Sequence, residues 1–143
     1  MLVKEIMITK VISIDRDKTV VDACNMYRDH RVGCLLVMHQ EDCVGIVTER
    51  DIIERTICAH RNPEQTTVGD IMSSDIKTVH ALEKLERAVN IMQEHHIKKL
   101  PVILKEEVVG IITVTDISRV LPELAESFID PWVRSMHRLK KSA

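Results

Sequence analysis

Aromatic side chains are almost missing from this chain: one Phe, one Tyr and one Trp in 143 residues. That scarcity argues against the stacking platforms with which proteins grip single-stranded nucleic acid. An excess of one charge sign is missing too. Twenty Lys and Arg against 22 Asp and Glu leave a formal charge of −2, so no broad field favours a nucleic-acid backbone. No apolar run approaches the roughly 18 residues of a membrane helix, and no membrane span is expected. The opening MLVKEIMITK lacks a cleavable signal pattern, which makes a cytoplasmic location the expectation.

Cysteine is sparse and one-sided. Cys24, Cys34, Cys43 and Cys58 all lie in the first half, and none forms a C-x-x-C. The reading favoured by composition is small buried hydrophobes in a reducing compartment. Zinc or a redox switch is the alternative, and the spacing supports neither. The seven His residues show no metal-site spacing either, so no metal is expected.

What is present is a duplication. Residues 41–52 read EDCVGIVTERDI and residues 106–117 read EEVVGIITVTDI, identical at seven of twelve positions and offset by 65 residues. At the same offset Val3, Ile6 and Met7 match Val68, Ile71 and Met72, and Ala23, His30, Leu35 and Val37 match Ala88, His95, Leu100 and Val102. The chain is therefore two copies of one supersecondary unit. Each half is about 60 residues, marginal alone, so a shared aliphatic core is expected.

Each copy opens with a β-prone segment, Val11–Ile14 or Ile76–Val79. A helical pattern follows, with Val20, Ala23, Cys24 and Tyr27 in one copy and Leu85, Ala88, Val89 and Met92 in the other. Apolar runs at Cys34–Met38 and Leu100–Leu104 lead through charged turns into Val44–Val47 and Val108–Ile112, an antiparallel hairpin by pattern. A second helix starts after Thr48 or Thr113 and carries Ile52, Ile53 and Ile57, or Ile117, Val120 and Leu121. The unit is β-α-β-β-α, an α/β (α+β) fold. Residues 1–59 form the first repeat, 60–67 a linker, 68–122 the second repeat. Residues 123–143 form a helical tail with Trp132, Met136 and Leu139 at helical spacing. That tail is expected to pack back on the module or a second subunit, the alternative being a helix that serves a partner.

Thr48-Glu49-Arg50-Asp51 and Thr113-Val114-Thr115-Asp116 each read as a helix cap, the hydroxyl and the acid satisfying first-turn N–H groups. They also read as a site, because a short Asp at a strand's exit can accept both hydroxyls of a vicinal diol such as a ribose. The two readings are compatible. Retention of Asp in both copies, where Glu or Gln suits a reciprocal box better, favours the site.

The doubled unit, with Gly45-Ile-Val-Thr-Glu-Arg-Asp51 and Gly110-Ile-Ile-Thr-Val-Thr-Asp116, resembles a tandem pair of cystathionine-β-synthase (CBS) domains over residues 3–121. The Leu100-Pro101-Val102 run and the entry segments Val3–Met7 and Val68–Met72 resemble the family too. The resemblance implies two repeats packed sheet to sheet with pseudo-twofold symmetry. It also implies clefts for adenosine ligands such as AMP, ADP, ATP or S-adenosylmethionine. By position, Asp116 would hold the ribose, with Thr113 and Thr115 near ribose and phosphate. Thr78, Val79, Lys99, Leu100, Pro101 and Val102 would line the adenine pocket, and His96, Lys98 and Lys99 would offer charge to phosphate. In the first copy Asp51 and Thr48 take the ribose end, Arg50 the phosphate end, and Ser13, Ile14, Gly33, Cys34 and Leu35 the base. Lys98-Lys99 also reads as a solvated pair, and His95-His96 as a helix C-terminus. Glu49 repels phosphate in the first copy, which favours the second.

The functional expectation is a regulatory, nucleotide-responsive module acting on a separate effector protein or through its own homodimer. The alternative is a ligand-independent dimerisation module. Neither paired catalytic carboxylates nor a Cys–His dyad pattern is present, so an enzyme is not expected.

Overall fold

The structure is a computed structural model that describes residues 1–123. The expected helical tail with Trp132, Met136 and Leu139 lies outside the described residues. Each copy builds one three-stranded sheet. In the first, β1 (Ser13–Asp15) runs parallel to β2 (Cys34–His39), which pairs antiparallel with β3 (Asp42–Thr48). Helix α1 (Val20–His30) connects β1 to β2, and α2 (Glu49–Ile52) follows β3 and widens into a π-turn at Ile53–Ile57. After α3 (Val68–Ile71), the second copy repeats the order. Its elements are β4 (Val79–His80), α4 (Leu85–His95), β5 (Lys99–Leu104), β6 (Glu107–Thr113) and α5 (Val114–Val120).

Local chemistry accounts for the repetition. The central strands β2 and β5 are near-continuous apolar runs because both of their faces are buried, as Cys34–Val37 and Leu100–Val102 show by their consecutive burial. Helices α1 and α4 end where Arg31 and His96 turn left-handed at φ 52° and 54°. One difference is instructive. Leu36 donates its backbone N–H to Ile12 O at 3.0 Å, and the first ladder starts at Ser13 opposite Leu36. Pro101 stands at the equivalent place and has no N–H, so the second ladder starts one residue later, at Val79 opposite Val102.

The chain divides into two compact units that cross the repeat boundaries. Among the described residues, one unites Met1–Lys10 with the chain from Lys77 onward; the other is Val11–Ile76. Each entry segment thus belongs to the unit built on the other repeat's sheet. In the first of these units Ile8 and Ile111 exchange two backbone bonds, at 2.8 and 2.9 Å. In the other, Ser73 and Ile46 exchange the equivalent pair, at 2.9 and 3.0 Å. We call these entry segments straps. Residues 60–67 do not merely link. Thr66 is buried and accepts from Val20 N–H, and Thr67 bridges to Thr19.

Burial corrects three expectations. Among the described residues most of the buried apolar side chains gather in two clusters, one in each unit, where one core was expected. One contains Val3, Leu85, Met92, Leu100, Ile112 and Ile117; the other contains Val20, Leu35, Val37, Val47, Val68 and Ile71. Of the isoleucines expected to face inward on α2, Ile52 is buried, whereas Ile53 and Ile57 are 56% and 59% exposed. Of the cysteines, Cys34 alone is buried, Cys43 is half-buried, and Cys24 and Cys58 are exposed.

Candidate functional site

Register gathers the predicted residues at one end of each sheet. In the first unit Cys34 pairs with Thr48, and Leu35 with Val47. The start of β2 (Gly33, Cys34, Leu35) therefore lies beside the exit of β3, where Thr48 and Asp51 stand. Parallel β1 brings Ser13 and Ile14 to the same end, opposite Leu36 and Val37. In the second unit Lys99 pairs with Thr113 and Leu100 with Ile112, while Val79 lies opposite Val102. The carbonyl of Lys98 accepts from Val114 N–H at 3.0 Å, fixing the start of α5 beside the start of β5.

Within these ends burial sorts the residues. Ile14, Cys34, Leu35, Val79, Leu100, Pro101 and Val102 are buried and form the sheet floor. Ser13, Thr115, His96 and Lys98 are exposed, while Gly33, Thr78 and Lys99 are half-buried. Arg50 is exposed and turned toward Glu54, its Nε 2.7 Å from Oε1. That partner raises the already high Arg50 pKa through its hydrogen bond and charge.

Both Thr-x-x-Asp motifs are reciprocal capping boxes. Thr113 Oγ1 accepts from Asp116 N–H at 3.1 Å, and Asp116 Oδ2 accepts from Thr113 N–H at 3.2 Å. The Thr113 hydroxyl lies 2.7 Å from the same Oδ2 and donates to it. Asp51 Oδ2 accepts likewise from Thr48 N–H at 2.9 Å and from its hydroxyl at 3.1 Å. Asp116 is buried, with 9% exposure, a position a carboxylate holds only with bonds of this kind.

Two more boxes escaped the sequence reading. Thr19 with Asp22 and Thr67 with Asp70 cap α1 and α3 by the same exchange. Bonds from the threonine backbone lower the Asp22 and Asp70 pKa values. Aspartate therefore closes such a box readily, and its retention at 51 and 116 is not by itself a mark of a site. The missed signal was plain Thr-x-x-Asp at Thr19 and Thr67, outside the repeated phrase.

An open hollow of about 340 Å³ lies beside β1 and α1, lined by Ser13, Ile14, Asp15, Lys18, Asp22, Asn25 and Met26. It takes in Ser13 and Ile14 at that end of the sheet but is lined by neither Thr48 nor Asp51. Among the described residues no group of three His, Cys, Asp or Glu side chains could hold a metal ion. None of the described helices is long and apolar enough to cross a membrane.

The CBS domain model matches residues 3–57 and again 68–123. The chain belongs to the CBS-domain family. Hypoxic response protein 1 of Mycobacterium tuberculosis is 32% identical over 123 residues, covering 85% of this chain and 86% of that protein. A hexameric CBS-CP12 protein from bloom-forming cyanobacteria is 30% identical with a TM-score of 0.75, over 82% of this chain and 66% of that one. The CBS domain pair of protein MJ0100, in complex with 5′-methylthioadenosine and S-adenosyl-L-methionine, is 26% identical with a TM-score of 0.76. That match covers 86% of this chain and 97% of the other. The doubled β-α-β-β-α fold is thus a CBS pair.

Proposed function

We propose that this CBS pair is a regulatory module that binds an adenosine ligand at the Asp116 end of its second sheet, and at the Asp51 end of the first. The observation that carries this reading is the division of labour within each carboxylate. Both threonine bonds fall on Oδ2, so Oδ1 is the oxygen a ribose diol would meet. The MJ0100 pair, seen with two ligands that each carry a ribose, supports that chemistry. AMP, ADP, ATP and S-adenosylmethionine are the candidate ligands. By the family resemblance Lys98, Lys99 and His96 would offer charge to a phosphate or carboxylate, and the Glu49 carboxylate disfavours a polyphosphate in the first copy. The module acts on a separate effector, or through its own self-association in the cytoplasm, and performs no chemistry of its own.

Isothermal titration with AMP, ATP and S-adenosylmethionine tests this, wild type beside Asp116→Ala. Loss of charge-assisted ribose bonds costs about 1.5–3 kcal/mol, so affinity falls about ten- to a hundredfold. Equal affinity in a folded variant removes Asp116 from the site. A second reading, an assembly module whose motifs only cap helices, is favoured by the identical boxes at Thr19–Asp22 and Thr67–Asp70. No heat with any of the three ligands selects it.

A further inference from the structure

Asp51 and Asp116 are equivalent, but one turn later the copies differ in a way the repeat does not foreshadow. Four residues beyond Asp51 stands Arg55; four beyond Asp116 stands Val120. Arg55 lies in the π-turn Ile53–Ile57, with its Nε 3.8 Å from Asp51 Oδ1. Its Nη1 donates to the carbonyls of Ile71 and Met72 at 2.9 and 3.1 Å. Those carbonyls close α3, where the last C=O groups lack partners within the helix and a cation is welcome. One guanidinium therefore joins the motif carboxylate to the strap that Ser73 hydrogen-bonds to β3.

The surroundings make this more than a surface pair. Turns of the π type concentrate at functional positions in helices. Here the turn keeps Thr56 fully buried with its hydroxyl unpaired among the described residues, which a relaxed helix would avoid. Oδ2 of Asp51 is already engaged by Thr48. Oδ1 is thus the oxygen that both Arg55 and an incoming diol address. In the other unit the homologous strap makes the same bridge, Ile8 with Ile111, but Val120 has no charge with which to reach it.

We propose that Arg55 couples the first motif to its strap, so that the state of the Asp51 carboxylate is read at Ile71–Ser73, while Asp116 has no such link to the strap at Met7–Ile8. The two ends are then unequal by design: the first reports, the second only binds. The ligand's identity rests on the nucleotide reading above, but the coupling itself belongs to the ligand-free chain. Linkage makes it reciprocal, since whatever loosens the strap also changes what Asp51 can hold.

Hydrogen exchange of single amides in the intact chain tests the coupling. Ser73 and Ile46 report one strap, Ile8 and Ile111 the other, and the Leu36 amide, bonded to Ile12, is the internal reference. Relative to Leu36, Arg55→Met should speed exchange at Ser73 and Ile46 about tenfold or more, as charge-assisted bonds to two carbonyls are lost. Asp51→Asn should speed it about two- to fivefold, the scale of a half-exposed ion pair. The Asp51→Asn effect should vanish in the Arg55→Met background, since the two act in series. Asp116→Asn should leave Ile8 and Ile111 unchanged. Additive effects of the two first-copy substitutions, or unchanged strap amides in Arg55→Met, overturn the proposal. So does loosening of Ile8 by Asp116→Asn. Adding AMP to the Asp116→Asn protein separates the two readings. No heat there counts against an adenosine ligand at Asp51 and leaves the amide pattern to decide the coupling. Heat with Ser73 exchange unmoved overturns the coupling.

Discussion

The sulfur of Met7 rests on the bare Cα of Gly110. A Cβ placed on that glycine would stand 2.8 Å from Met7 Sδ and 2.9 Å from the Ile8 carbonyl. The other copy repeats the relationship, with the Met72 side chain and the Ser73 carbonyl against Gly45. Neither glycine has a left-handed backbone. Each is required for space: the strap's two-bond bridge brings its backbone closer to the strand than any side chain permits.

Gly110→Ala should therefore cost about 1–3 kcal/mol, the scale of overpacking a close-fitted contact. The Met7 thioether can give way, but the Ile8 carbonyl is held by its bond to Ile111. Urea denaturation measures the loss, and proteolysis within residues 1–10 should quicken as the strap lifts. Gly45→Ala should behave alike at residues 68–73. Wild-type stability in either variant would mean that the straps yield without cost.

Tyr27 is the chain's one tyrosine, which makes its ionisation directly readable. Its hydroxyl donates to the Val47 carbonyl at 2.6 Å, just before Thr48. Burial first, then the nearby Cys34, Asp51 and Glu49, push its pKa well above the ordinary phenol value. A group whose folded pKa is raised supports the fold fully below its unfolded pKa, about 10, and loses that support as pH rises beyond it. The phenolate absorbance should thus stay flat through pH 10 and appear only together with unfolding. Tyr27→Phe should cost about 0.5–1.5 kcal/mol at neutral pH for the lost bond and blunt the alkaline decline. A phenolate that titrates near pH 10 in the folded chain refutes this.

The β5–β6 hairpin turns through Lys105 and Glu106, both left-handed at φ 52° and 65°. Such a two-residue turn favours Asn-Gly, because other side chains crowd the backbone there. Replacing Lys105-Glu106 with Asn-Gly should raise the thermal midpoint and stabilise the fold by about 1 kcal/mol. An unchanged or lower midpoint would show that the native pair makes compensating contacts.

The amino-acid sequence by itself determined the doubled β-α-β-β-α unit, its hairpins and its motif caps. These features are local or periodic: alternating burial, helical spacing, and a Thr three residues from an Asp all act within a few residues. Register followed from the same pattern, which is why Cys34 lands opposite Thr48 and Lys99 opposite Thr113. Tertiary structure decided the rest. Val3–Met7 and Val68–Met72 carry Val, Ile and Met at the same places, and no periodicity says which strap docks where. The pairings Ile8–Ile111 and Ile46–Ser73 join residues distant in sequence, so chain path and packing settle them. The same holds for Arg55, whose partners Ile71 and Met72 come from the next repeat's entry segment. A pattern within one segment records which face is apolar; only the folded chain records what comes to cover it.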